Sequence, residues 1–345
     1  LYTSGTTGRS KGAMLTHGNL ASNAVTLHRH WQFRPGDVLL HALPIFHVHG
    51  LFVALHCAFL NGSTVIFQSG FDVDAIIERL PEATVFMGVP TFYTRLLAEP
   101  RFRRELCANM RVFIAGSAPL TAETFTAFLA RTGQAILERY GMSEAGMIAS
   151  NPYDGERRPG TVGAPLPGVT LRIADQNGSA VPGGEVGSIE ISGPNVFRGY
   201  WEKPEKTAAE FTDDGFFITG DLGFIDADGY LHIVGRSRDM VISGGYNVYP
   251  REVEAVLDEL DGIQESAVIG VPHADYGEAV VAAVVAEASA QPELGEATMI
   301  ARLKPLLASY KVPKRIVVMA ELPRNAMGKV QKNLLRERLS SLFEG

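Results

Sequence analysis

The sequence predicts an α/β protein. A large domain with a mainly parallel sheet and a small β-rich subdomain is followed by a smaller α+β domain at the C-terminus. Three observations predict it. Between residues 38 and 131, short β-branched apolar runs alternate with segments of helical spacing, the pattern of βαβ units and a parallel sheet. From about residue 160 the texture changes to short alternating strands between Gly/Pro turns. Beyond residue 239, helices and strands mix without that alternation, and 345 residues suffice for more than one core.

The elements follow in order. Residues 19–31 are expected to be helical, with cap chemistry just before them at Thr16-His17-Gly18. Residues 38–43 read as a buried strand ending at Pro44. The longest apolar run, 45–60, carries His47, His49 and His56 and stops at Asn61-Gly62. A membrane span needs about 20 apolar residues, so this run is read as a buried element. Strands are expected at 63–68, 84–89 and 111–115, and helices at 72–80, 91–98 and 121–131. A short strand, 135–137, leads into a loop at 138–144. Residues 1–160 thus form the main α/β domain and 161–236 its β-rich subdomain, with strands at 169–173 and 186–192 around Pro182-Gly183-Gly184. Residues 237–239 are read as a hinge, and 240–345 as the α+β domain. That domain has helices at 250–260, 298–309 and 332–342 and strands at 266–271, 279–287 and 315–319.

The composition, 46% hydrophobic and 20% charged, is that of an ordinary globular protein. A net charge of -7 gives no support for a nucleic-acid or anionic-membrane partner. Cys57 and Cys107 have neither metal spacing nor a disulfide framework, so buried thiols in a reducing compartment are expected. The chain opens at Leu1, without Met and inside a motif, and is expected to be a fragment. A cytoplasmic place is expected, with an organelle matrix left open because a leader can precede the fragment. Oligomeric state is not legible.

The opening run is Leu1-Tyr2-Thr3-Ser4-Gly5-Thr6-Thr7-Gly8-Arg9-Ser10-Lys11-Gly12. Glycine lets backbone approach a ligand, hydroxyls and N–H groups donate to phosphate oxygens, and lysine adds a point charge. The run fits a phosphate cradle; alone, it fits an ordinary Gly/Ser/Thr loop as well. It is not a Walker A loop, because Ser10 and Gly12 flank Lys11, and a P-loop kinase is thereby excluded. The pattern S-G-T-T-G-R-S-K-G, with Ser10 at a usual proline, resembles the phosphate loop of the adenylate-forming superfamily. That superfamily holds acyl-CoA synthetases, luciferases and nonribosomal adenylation domains.

The resemblance continues along the whole chain. Ile45-Phe46-His47-Val48-His49-Gly50 is similar to the acyl-pocket segment and implies His47 beside the substrate carboxylate; a core histidine bonded to backbone is the other reading. Gly116-Ser117-Ala118-Pro119-Leu120 follows an expected parallel strand, where such sheets bind ligands. It resembles the loop that contacts adenine and the acyl group. Glu138-Arg139-Tyr140-Gly141-Met142-Ser143-Glu144 resembles the motif Y-G-x-[ST]-E. The resemblance implies that Tyr140 stacks on adenine, that Ser143 bonds phosphate, and that Glu144, with Thr3, holds Mg²⁺, which takes hard oxygen ligands. Gly199-Tyr200-Trp201 matches a further station and is read as packing. Asp221, between Gly220 and Gly223, matches the ribose aspartate; a β-turn aspartate is the other reading. Arg236 matches an arginine on ribose and phosphate, and Arg238 falls on the hinge position. Gly244, Gly245 and Tyr246 match the segment lining the thiol tunnel, and Lys329 matches the adenylation lysine. The implied ATP site thus draws on Thr3, Ser4, Gly5, Thr6, Thr7, Gly8 and Lys11 in the loop, then on Gly116, Ser117 and Ala118. It continues through Glu138, Arg139, Tyr140, Gly141, Met142 and Ser143 to Asp221, Arg236 and Lys329.

The resemblance implies two-step chemistry. A carboxylate attacks the α-phosphate of ATP, giving an acyl-adenylate and pyrophosphate, and the thiol of CoA then displaces AMP. Lys329, Glu144 and His47 would be the catalytic groups. Within the family the chain, including V-P-T-F-Y-T-R-L-L at 89–97, is most similar to malonyl-CoA synthetases. Arg95 is expected to take a second carboxylate, with His47 and Ser117 in the acid pocket; an exposed helical arginine is the other reading. Malonate or methylmalonate is therefore the expected acid. The alternatives are another acid (acetate, a fatty acid or an aryl acid), transfer to a carrier-protein phosphopantetheine, and a nucleotide-binding fragment without turnover.

Overall fold

The computed structural model describes residues 1–3, 10–287, 295–325 and 329–343. It divides into two compact units, Leu1–Thr219 with Gly223–Ile233, and Gly220–Leu222 with Val234–Gly345. The first carries a seven-stranded sheet. Five of its strands run parallel, in the order Thr64–Phe67, Val38–His41, Val85–Gly88, Val112–Ala115 and Leu137–Met142. Gly146–Ser150 and Ala164–Pro165 extend it in antiparallel fashion.

Every residue of Val85–Gly88 and Val112–Ala115 is buried, as expected of strands covered on both faces. Alternate side chains feed two cores. Leu40, Phe86 and Phe113 pack on one face with Tyr93 and Phe128; Leu39, Val85 and Ile114 pack on the other with Leu27 and Trp31. The helices start where their caps dictate. Thr16 forms a capping box with Asn19, and Asp72 and Thr121 accept from the N–H groups of Ala75 and Thr124. Helix Ala122–Thr132 stops at Gly133, whose φ of 78° is left-handed.

Two departures matter. The apolar run 45–60 is not one buried element: it becomes a π-helical stretch, His49–Ala54, running into helix Leu55–Asn61. Ile45, Phe46, Phe59 and Leu60 are exposed. Second, Glu138 to Met142 is not a loop after a strand but the strand itself, Leu137–Met142, paired with Gly146–Ser150. The register shifts between Tyr140 and Gly141, and a Cβ on Gly141 would lie 2.3 Å from the Gly146 carbonyl oxygen. Glycine there permits the close approach that turns a motif resembling a loop into a hairpin.

The β-rich part is a four-stranded sheet of Thr170–Ala174, Gly187–Ser192, Phe217–Ile225 and Leu231–Arg236. In the second unit, Gly277–Ala286 is the spine. Ile263–His273 and Val241–Ser243 pair with it antiparallel and Arg315–Val318 parallel. Helices Pro250–Asp258 and Glu296–Leu303 bury Val253, Leu257, Met299 and Leu303 in one core; Leu335 of Lys332–Leu339 enters the other. The α/β and α+β classes are thus both present. Cys57 and Cys107 are buried free thiols. Among the described residues no helix is long and apolar enough to cross a membrane.

An aromatic cluster packs against one face of the sheet. Phe128 meets Phe113 at 4.9 Å and Tyr93 at 5.4 Å, both edge-on. Phe128→Ala is expected to destabilise the chain by about 3–5 kcal/mol, read as a lowered urea midpoint.

Candidate active site

The carboxyl ends of the parallel strands gather the first set of groups. Strand Val112–Ala115 ends in Gly116 and in Ser117, which adopts φ of 70°, uncommon for a residue with a Cβ. The Ser117 hydroxyl lies 3.2 Å from Nδ1 of buried His49, whose backbone N–H donates to Nδ1 of His47 at 3.2 Å. The structure therefore brings His47, His49 and Ser117 together. His49, which the sequence argument did not single out, is the one touching Ser117. Glu138 secures the other side of the turn: its Oε1 accepts the Leu120 N–H at 3.1 Å.

Arg139 lies behind this turn. A Cβ on Gly116 would come within 2.4 Å of its guanidinium, so a side chain there would displace the Arg139 head group. Arg139 is 2% exposed, and its Nε and Nη2 have no hydrogen-bond partner among the described residues. Burial drives its pKa down to about 9, against the opposing influence of Tyr93 and Glu138. An unpaired buried cation is costly, and a bound anion would relieve that cost. Tyr93 spends its own hydroxyl on the Ile114 carbonyl at 2.6 Å. Arg95, on the same helix Pro90–Ala98, is exposed.

A second set surrounds Lys11. Tyr2–Thr3 and Lys11–Gly12 pair antiparallel, Thr3 opposite Lys11; Ser4, Gly5, Thr6, Thr7 and Gly8 lie outside the described residues. The Lys11 ammonium sits 2.6 Å from the Tyr200 hydroxyl, 3.5 Å from Glu144 and 3.7 Å from Glu210. Tyr200 oxygen is in turn 2.9 Å from Glu144 Oε1 and 2.6 Å from Glu210 Oε2, so its single proton serves one carboxylate at a time. Burial lowers the Lys11 pKa, opposed by Glu144 and Glu210. Tyr200, read from the sequence as packing, is thus the centre of a charge network. Lys11 is engaged with these acids, and Ser143 and Glu144 are buried beside Ala145 at the hairpin turn.

The second unit carries the remaining groups. Asp221 is buried, and Nε of Arg236 reaches its Oδ1 at 2.9 Å, so the two residues expected at the ribose are paired with each other. Arg238 lies in the single turn Ser237–Asp239; burial and the nearby Arg236 lower its pKa. Gly244 and Gly245, at φ of 58° and 83°, make the two-residue turn joining Val241–Ser243 to Tyr246–Val248. Tyr246 stacks on Tyr310 at 4.7 Å. Lys329 is exposed, and its N–H donates to Asn325 Oδ1 at 3.0 Å. Among the described residues no three His, Cys, Asp or Glu side chains cluster as a metal cage.

The Tyr200 hydroxyl gives a direct test of the network. Tyr200→Phe removes the one oxygen shared by Lys11, Glu144 and Glu210. The expected loss is about 1–3 kcal/mol of unfolding free energy, measured by urea titration. An unchanged midpoint would show that the hydroxyl contributes packing alone.

Comparison with known proteins gives a consistent answer. A malonate–CoA ligase of Arabidopsis thaliana is 40% identical over 99% of this chain and 60% of its own length. A feruloyl-CoA synthase of Amycolatopsis is 40% identical over 98% of this chain and 69% of its own. The crystal structure of ATP-bound MatB from Rhodopseudomonas palustris superposes with a TM-score of 0.97 at 57% identity, covering 99% of this chain and 68% of that one. The chain spans about 60% of the length of the plant relatives it matches. Residues 1–201 match the AMP-binding enzyme family and residues 252–329 its C-terminal domain. The chain therefore belongs to the AMP-binding enzymes, the adenylate-forming superfamily.

Proposed function

We propose that the complete protein is an AMP-forming acid–thiol ligase that joins malonate to CoA. The observation that carries the acid is Arg139, expected from the sequence at the nucleotide and read here instead as an acid ligand: a buried guanidinium with two nitrogens unpartnered among the described residues, set against the Gly116-Ser117 turn. A dicarboxylate has a second anionic group to offer it in bidentate fashion, and a monocarboxylate does not. Arg95, two residues beyond Tyr93 on the neighbouring helix, is a second candidate for that carboxylate. The similarity to malonate–CoA ligase and to MatB supports the same acid.

The reacting carboxylate would approach His47, His49 and Ser117, with Asp221 and Arg236 on the ribose of ATP. Glu144 fits a magnesium site of the usual nucleotide kind, in which one carboxylate and the phosphates supply most ligands. Its Oε1 is taken by Tyr200 and Lys11, so Oε2 is the oxygen for the ion. Magnesium bound there, with Thr3, would neutralise phosphate charge. Lys329 would supply the remaining positive charge as the α-phosphate is attacked, and electrostatic stabilisation of that kind is the main catalytic term in phosphoryl chemistry. Thioester formation would follow rotation about Arg238, with Gly244 and Gly245 leaving room for the pantetheine arm. The buried free thiols fit a reducing compartment, the cytoplasm or an organelle matrix.

Two experiments on the complete protein test this reading. Lys329→Ala is expected to lower malonate-dependent pyrophosphate exchange by about 10²–10³-fold. Gly245→Leu should spare exchange and block thioester formation; equal loss of both steps in the glycine variant refutes the two-pose scheme. For the acid, Arg139→Leu is expected to cut the kcat/KM for malonate about 10–100-fold and leave acetate within about twofold, since a charged hydrogen bond is lost. Arg95→Leu, assayed in parallel, apportions the second carboxylate between the two arginines. A wild-type preference for acetate or ferulate over malonate would overturn the assignment of the acid.

A further inference from the structure

The second unit holds the arms of the Lys329 loop between two carboxylates that the chemistry above does not use. Arg324 and Val330 pair as an antiparallel bridge, and the Gln331 N–H donates to the Pro323 carbonyl at 2.7 Å. Asn325 and Lys329 exchange bonds: the Asn325 N–H donates to the Lys329 carbonyl, and the Lys329 N–H to Asn325 Oδ1, both at 3.0 Å. The arms therefore leave the frame side by side. Each carries a cation pinned by an acid of that frame. On the incoming arm, Arg324 pairs with Glu265 of strand Ile263–His273. On the outgoing arm, Lys332 reaches Oε1 of Glu254, on helix Pro250–Asp258, at 2.5 Å. The same Glu254 oxygen accepts the Val268 N–H at 2.8 Å, which ties it to the strand that carries Glu265.

We propose that Glu254 and Glu265 are positioning residues for the Lys329 ammonium, fixing both arms of its loop for the adenylation step alone. The inference rests on the reading of Lys329 as the adenylation cation. Partly exposed ion pairs contribute little stability, typically about 0–1 kcal/mol each. Orientation is what two such pairs on either side of one long, exposed side chain supply. A displacement of about 1 Å at a reacting centre can cost about 10²-fold in rate. Thioester formation takes place with the lysine withdrawn, so it is indifferent to where the arms hold it.

Glu254→Gln and Glu265→Gln, made in the complete protein, remove one charge each. A glutamine at 254 can still accept the Val268 N–H. Two activities are read: malonate-dependent pyrophosphate exchange, and thioester formation from preformed malonyl-adenylate and CoA. Each variant is expected to lose at least about tenfold in the kcat of exchange, with KM for ATP within about twofold and the thioester step unchanged. Reversing the pair on the incoming arm, Glu265→Arg with Arg324→Glu, should restore the exchange lost when Glu265→Arg is made alone. Equal loss in both steps, or unchanged exchange, would overturn the proposal. Lys329→Ala separates the two claims. If it leaves exchange intact, the reading of Lys329 fails. If it abolishes exchange while the glutamine variants do not lower it, the positioning role alone fails.

Discussion

The neutralisation of one half-buried cation, Lys11, ties together three distant stretches of the first unit. Lys11 comes from the opening segment, Glu144 from a hairpin at the sheet edge, and Tyr200 and Glu210 from the β-rich region. None of these segments is adjacent in sequence. An ammonium largely removed from water must find acids, and here the acids come from two distant stretches. The same constraint that satisfies Lys11 therefore fixes Glu144 relative to the arms of the phosphate loop. Lys206 adds a second cation on Glu210 at 2.7 Å. The network is local charge balance first, and it bears on the proposed magnesium site only through Glu144.

Arg139 shows the opposite solution. Burial outweighs the neighbouring Glu138 and Tyr93 and takes its pKa down to about 9, and two of its nitrogens have no hydrogen-bond partner among the described residues. The surrounding fold bears that cost. The guanidinium lies against the Gly116 backbone, where a Cβ would displace it, and Tyr93 turns its hydroxyl to the Ile114 carbonyl. A packed interior does not leave a donor unanswered without consequence, so an unpaired buried guanidinium is a stronger pointer to an anion than an exposed one. Arg95 reads plainly in the sequence yet says less about chemistry, because water can satisfy it.

The fold class was legible because its signals are local. Apolar runs of four residues between helical segments mark the parallel strands at Val85–Gly88 and Val112–Ala115, and Asp72 and Thr121 mark the helix starts. Where glycine is used for close approach rather than for a turn, the local signal misleads. Gly141 lies within strand Leu137–Met142, close against the Gly146 carbonyl, and its motif read as a loop. The exposed ends of the run 45–60 could not be foreseen, since nothing in a run of apolar residues says which of them a neighbour will cover. At the site, motif positions such as Asp221 and Arg236 were legible and are paired. The partners outside motifs were not. His49 against Ser117 and Glu210 against Tyr200 exist only once the chain is folded.

If Lys329 is the adenylation cation proposed above, one charge has to be both placed accurately and withdrawn. A lysine ammonium on four methylenes has wide reach and high rotamer entropy, so accuracy must come from the backbone that carries it. Contacts from the nucleotide-binding unit would supply accuracy but would also have to be broken when the lysine leaves. Contacts from its own unit carry no such cost. Arg324 with Glu265, and Lys332 with Glu254, are of the second kind: every partner lies within Val234–Gly345. Ion pairs suit the task better than apolar packing, since they orient two arms at an exposed edge without demanding a buried core beneath them. Under the proposed two-pose scheme, the described arms of the loop would keep their place on their own unit in both poses.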